Sequence, residues 1–140
     1  MMYLLDTNVI SELRRGGHGM ADQAVYLWAS REVMNQQYVS AITIEELEIG
    51  VLRIERRDLI QGRLLRTWLE DVVNVAFEGR ILPVDLAVVQ QSARLRVSNP
   101  RPIRDGFIAA TALVHGMTVV TRNVADFESM GVPLLNPWQT

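Results

Sequence analysis

Five short apolar runs are spaced along this sequence, at residues 3–5, 38–42, 80–84, 117–121 and 132–135, with helical patterns between them. A chain that returns to its sheet through a helix lays its strands parallel and covers both sheet faces. The order therefore predicts an α/β fold with a central, mostly parallel sheet of four to five strands flanked by helices on both faces. At 140 residues and 49% hydrophobic content, one domain spanning 1–140 with a substantial core is expected.

The helices have readable ends. Asp6, Thr7 and Asn8 are all N-cap types, so the first strand is expected to turn straight into a helix reaching about Arg14. Arg15-Gly16-Gly17-His18-Gly19 reads as a loop, and a second helix covers 22–31. Thr43-Ile44-Glu45-Glu46 has the form of a capping box, followed by a stripe of Ile44, Leu47, Val51 and Ile54. Asp58 is expected to cap a helix running to about Phe77, with Leu59, Leu65, Leu69, Val72 and Val73 facing the core. Further helices are predicted over 86–97, from Pro102 to Gly116, and over 123–130.

Composition removes several chemistries. With no cysteine there are no disulfides, thiolate metal sites or cysteine nucleophiles. All 14 basic residues are arginine, which removes P-loop and Schiff-base chemistry along with lysine. A net charge of −2 gives no general pull toward nucleic acid, although charge can be clustered locally. Neither a secretory signal nor a run of about 18 apolar residues is present, so a soluble, cytoplasmic protein without membrane contact is expected.

The acids carry the functional signal. Sites in open parallel sheets gather beyond the carboxyl ends of strands. Asp6 ends the first run, Glu46 follows the second closely, and Asn123 and Asp126 follow the fourth. Asp105 lies one turn inside its helix, on the same face as Ile108, Ala109 and Ala112, which turns it toward the sheet. Carboxylates gathered in one pocket repel one another, and a hard divalent cation resolves the conflict. Such a cation suits phosphodiester hydrolysis. Each acid also has a local structural explanation as a cap or a partner of a helix dipole, and periodicity does not choose Glu46 over Glu45 or Glu48.

The segments "LLDTNVISEL", "VSAITIEELEIG" and "RDGFIAATALVHGMTVVTRNVADF", with the ending "LLNPW", resemble in order the motifs of the PIN-domain family, in its VapC-like and FitB-like toxin branch. The resemblance covers nearly the whole chain. It implies an endoribonuclease dependent on Mg²⁺ or Mn²⁺, the toxin of a VapBC-type toxin–antitoxin pair. It also implies a VapB- or FitA-like antitoxin as partner, a homodimer, and contact with operator DNA only through the antitoxin. Asp6, Glu46, Asp105 and Asp126 become the catalytic candidates, with Asp6, Glu46, Asp105 and Asn123 holding metal. Asn8 and Thr121 would support Asp6, and Arg104 and Arg122 would contact RNA. Many members of the family carry an acid where this chain has the amide Asn123.

Two other readings compete. A catalytically weak or inactive PIN-like module could bind RNA or a partner protein, and Asn123 favours it. An Asp-centred phosphotransfer enzyme fits poorly, because Asn8 replaces a second aspartate and lysine is absent. Arg53, Arg56, Arg57, Arg63 and Arg66 form a basic stretch whose simpler explanation is a salt-bridged helix surface.

Overall fold

The computed structural model describes residues 1–16 and 22–139. Of the loop expected at Arg15–Gly19, Gly17, His18 and Gly19 lie outside the described residues, whereas Arg15 and Gly16 close the first helix. Strands β1 (Tyr3–Leu5), β2 (Gln37–Ser40), β3 (Ile81–Leu82), β4 (Thr118–Val120) and β5 (Leu134–Leu135) form one sheet in the order β3-β2-β1-β4-β5. Every pairing is parallel, with Tyr3 opposite both Gln37 and Thr118. The helices among the described residues are α1 (Thr7–Gly16), α2 (Gln23–Arg31), α3 (Ala41–Glu55), α4 (Leu59–Thr67), α5 (Asn74–Ala76), α6 (Leu86–Ser98) and α7 (Ile103–His115).

Alternation along β1 shows how both faces are covered. Leu5 packs with Val9, Trp28, Val39 and Leu69, whereas Leu4 packs with Ile108, Ala109, Val119 and Phe127. Successive strand residues point to opposite faces, and both leucines are fully buried. Burial of such side chains contributes about 1.5–3 kcal/mol each. Trp28 is also core, meeting Tyr3 edge-on at 5.2 Å between ring centroids.

Three local expectations need correction. Strand β2 ends at Ser40 rather than residue 42, and the Ser40 hydroxyl accepts the Ile42 N–H at 3.0 Å, so α3 begins before the Thr43 capping box. Thr43 is instead fully buried. Asp58 caps α4, with its carboxylate accepting from Ile60 and Gln61, but the chain then passes through a π-helical stretch, Trp68–Val73, before α5. The wider turn changes the facing of later residues: Leu69 and Val73 are buried while Val72 is exposed. Leu59, in the first turn, is also exposed. Residues 123–130 form two 3₁₀ turns, Val124–Asp126 and Glu128–Met130, rather than one helix.

Helix α7 lies close against α6 at Gly106. A Cβ there would stand 2.6 Å from the Arg96 Cδ and 2.7 Å from the Ser92 Oγ, and Ser92 is buried. Gly106→Val is therefore expected to destabilise the fold by about 2–3 kcal/mol through overpacking. Gly50, in α3, has nothing within 4 Å of such an atom. Gly50→Ala is expected to stabilise by about 0.5–1 kcal/mol, because alanine restricts the unfolded chain. Urea denaturation of the two variants beside the parent checks both signs.

Candidate active site

The chain leaves central β1 on one side for β2 and β3, and occupies the other side with β4 and β5. The order reverses between β1 and β4, and the crevice beyond their carboxyl ends is where open α/β sheets bind ligands. Asp6 follows β1, and Thr121, Arg122 and Asn123 follow β4. An open cleft of about 580 Å³ lies at this edge.

Asp6 serves the helix and the cleft at once. Its carbonyl accepts the Val9 N–H at 3.0 Å and so starts α1. Its carboxylate is 1% exposed, takes the Thr7 N–H on Oδ1 at 2.8 Å, and takes the Thr121 hydroxyl on Oδ2 at 2.8 Å. The Thr121 oxygen accepts in turn from Asn8 Nδ2 at 3.3 Å and from the Asn123 N–H at 3.0 Å. Asn8 also receives the Arg122 N–H at 3.3 Å. Asn8 therefore orients Asp6 through Thr121 rather than directly, and this network ties the end of β1 to the end of β4. A buried carboxylate without such partners would be strongly destabilising.

Glu46 lies inside α3, past its first turn, because the helix starts at Ala41. Its Oε1 accepts the Thr7 hydroxyl at 2.7 Å. Its two acidic neighbours go elsewhere: Glu45 is exposed, and Glu48 receives Arg66 Nη1 at 2.7 Å. Arg66 also pairs with Glu55 and Glu70, so this member of the basic stretch belongs to a helix-surface network.

Asp105 is buried in the first turn of α7, in line with fully buried Ile108, Ala109 and Ala112. Burial pushes its carboxyl above the usual carboxylate range. Arg104 pulls it back down, and Asp126 and Asp6 push it further up. The acids from β1, α3 and α7 meet at Arg104. Arg104 Nη2 donates to Asp6 Oδ1, Nε to Glu46 Oε1, and Nη1 to Asp105 Oδ1 at 2.9 Å. Burial opposes the Arg104 charge, but Asp6 and Glu46 outweigh it and hold the guanidinium more firmly protonated than usual.

The other candidates lie around this centre. Asn123 lines the cleft and makes no side-chain capping bond. Asp126 is half-exposed at the edge, where Arg101 Nη2 pairs with its carboxylate at 3.4 Å and Arg101 Nε donates to its carbonyl at 3.1 Å. Arg122 lines the cleft with its guanidinium 5.3 Å from the Trp138 ring centroid. Residues that the sequence did not single out for the site also face the cleft: Thr7, Ser11, Glu12 and Arg15 of α1, and Trp138. The first four had a signal. With Asn8 they recur at helical spacing, opposite the apolar Val9, Ile10 and Leu13.

The donor set suits a hard divalent cation: three carboxylates converge on one positive charge, with a threonine hydroxyl and two amide side chains nearby. Among the described residues no three acidic or histidine side chains form a ready ligand group. The guanidinium stands between the acids that would form it.

Fold and cleft together define an α/β domain with an acidic centre at the switch point of a parallel sheet. The PIN domain family model matches residues 3–132, and the chain belongs to that family. It is 38% identical over 146 residues to the VapC ribonuclease Y4jK of Sinorhizobium fredii, spanning 99% of each protein. Toxin FitB of Neisseria gonorrhoeae is 37% identical over 145 residues, spanning 98% of this chain and 99% of FitB. A solved structure of FitAB bound to the IR36 DNA fragment superposes with a TM-score of 0.87 at 36% identity, covering 98% of this chain and 96% of that one.

Proposed function

We propose that the whole chain, residues 1–140, is one nuclease domain that hydrolyses RNA phosphodiester bonds with Mg²⁺ or Mn²⁺, as the toxin of a toxin–antitoxin pair. The observation that carries this reading is the meeting of Asp6, Glu46 and Asp105, from three distant segments, around a single positive charge at the sheet edge. The names of the relatives, a VapC ribonuclease and a FitB toxin, support it.

In this reading Asp6, Glu46 and Asp105 hold the cation, and Asn123 adds an amide oxygen. A bound divalent ion supplies Lewis acidity and lowers the pKa of water toward neutrality. The chain does the rest. Thr121, steadied by Asn8, fixes the Asp6 carboxylate, and Thr7 fixes Glu46. Partners of this kind are each worth about 10–100-fold in metal affinity or activity. Arg122, at the cleft mouth, faces the RNA phosphate, for which arginine's planar fork is well shaped. Asp126, held by Arg101, serves from the edge through its charge.

The partners proposed with this reading are a VapB- or FitA-like antitoxin, a second copy of the chain, and operator DNA reached through the antitoxin. The FitAB–DNA structure supports the antitoxin and the DNA contact. Among the described residues no helix is long and apolar enough to cross a membrane, and the proposed location is the cytoplasm.

A second reading has one observation in its favour. Asn123 is an amide facing the cleft, and the nearby Asp126 carboxylate is paired with Arg101. A site short of one acid suits a module that binds RNA or a protein without cutting. Metal removal separates the two readings. The chelated protein is expected to lose cleavage of total RNA, and added Mg²⁺ or Mn²⁺ to restore it. A folded protein that shifts RNA in a gel but never cuts it, with either ion in excess, establishes the binding module instead.

A further inference from the structure

Arg104 stands where the proposed chemistry does not require it. Each of its three guanidinium nitrogens faces a different carboxylate, Asp6, Glu46 or Asp105. Its Nη2 also approaches the Thr7 hydroxyl at 3.4 Å. It occupies the centre toward which the acids point, which is where a shared ion would sit. Its side chain is 28% exposed and lines the open cleft, so a route outward exists. As the residue immediately before Asp105, it is always at hand.

We propose that Arg104 is a built-in competitor for the divalent cation: it holds the acids together in the ion-free protein and must swing into the cleft for an ion to bind. This inference rests on the metal-dependent reading above. The physical reason is charge. The three carboxylates are close enough to repel one another strongly, and either a guanidinium or a metal ion relieves that, but the two cations cannot share the centre. Ion binding is then a replacement rather than a simple filling. Its apparent affinity is reduced by the fraction of molecules in which Arg104 is already out. The site would stay closed when the ion is scarce and open as its concentration rises. Once out, the guanidinium points into the same cleft as Arg122 and can meet the substrate's phosphate.

The test is calorimetric titration of Mn²⁺, without RNA, into the chelator-stripped full chain and into Arg104→Gln and Arg104→Lys. If Arg104 is out in about a tenth of molecules, Arg104→Gln is expected to bind Mn²⁺ about tenfold more tightly than the parent. Arg104→Lys keeps the charge and is expected to stay close to the parent. Melting in parallel should show Arg104→Gln less stable than the parent without ion and regaining the difference with Mn²⁺. Equal or weaker Mn²⁺ binding by a folded Arg104→Gln overturns the inference, as does equally tight binding by both variants. A role confined to stability would move the melting point and leave the affinity unchanged. Should Arg104→Gln not fold, the parent itself answers through the ¹⁵N NMR signal of the Arg104 Nε–H, assigned by its loss in Arg104→Lys. That signal must move on Mg²⁺ binding, and an unmoved signal in the Mg²⁺-bound protein overturns the inference. The parent's RNA cleavage with metal is a separate readout, so this inference can fail while the nuclease reading stands.

Discussion

Asp6→Asn is expected to reduce metal-dependent RNA cleavage by about 10³-fold or more while leaving the protein folded, because in the proposed nuclease reading Asp6 holds the ion itself, and an outer support is worth only about 10–100-fold. The substitution keeps the shape of the side chain and the start of α1, since the helix hangs on the Asp6 carbonyl. What it removes is charge. The Asp6 carboxylate accepts from Thr121 on one oxygen and from Thr7 and Arg104 on the other. An amide can accept on only one of those sides, so its NH₂ must face either the Thr121 hydroxyl or the Arg104 guanidinium. The hydroxyl oxygen already receives Asn8 and Asn123, and the guanidinium is itself a donor. An ion bound as the nuclease reading proposes therefore meets less negative charge. Asp105→Asn is expected to act in the same way. Thr121→Val should keep both carboxylates and fall only about 10–100-fold. The measurement is cleavage of total RNA in Mn²⁺, with circular dichroism on each variant. A folded Asp6→Asn that cuts at the parental rate sinks the assignment of Asp6.

How far these residues could be read from the sequence depends on the distance over which their roles are set. Asp105 was readable because its partners are local: three and four residues on, Ile108 and Ala109 commit that face of α7 to the interior. The sheet was readable for the same reason, since each run and each helix carries its own period. Glu46 could not be separated from Glu45 and Glu48 by period alone. Its place in the cleft is set by Thr7 and Arg104, which lie 39 and 58 residues away. The apparent capping box also misled, since Ser40 supplies the cap and Thr43 is core. The π-helical stretch defeated the stripe that included Val72, because pattern reasoning holds the turn at 3.6 residues. Arg104 was readable as a cation near the site. Its position among all three acids is a tertiary fact, since only folding brings residues 6, 46 and 105 together.

Phe127→Ala is expected to cost about 3–5 kcal/mol of stability, the range for emptying a fully buried aromatic site. Phe127 is the largest fully buried side chain among the described residues, and it packs with Leu4, Ile108 and Val119 on the face of the sheet opposite Leu5. It joins the two 3₁₀ turns that replace the expected helix over 123–130. Turns this short have few hydrogen bonds of their own: the Asp126 N–H reaches Asn123, the Phe127 N–H reaches Val124, and the Met130 N–H reaches Phe127. Their position is therefore set by the buried ring more than by the backbone. Asn123 and Asp126 stand on the first of these turns, and the Asn123 N–H helps to hold the Thr121 hydroxyl against Asp6. Emptying the ring's site should loosen this segment before the whole domain unfolds. In guanidinium titrations the midpoint is expected to fall sharply. At a temperature where the variant remains folded, hydrogen exchange should rise first over residues 123–130. Phe127→Leu refills most of the volume and should restore most of both effects. A Phe127→Ala protein as stable as the parent would mean that the segment is positioned by its exposed pairing of Arg101 with Asp126, and that the core on this side of the sheet closes without the ring.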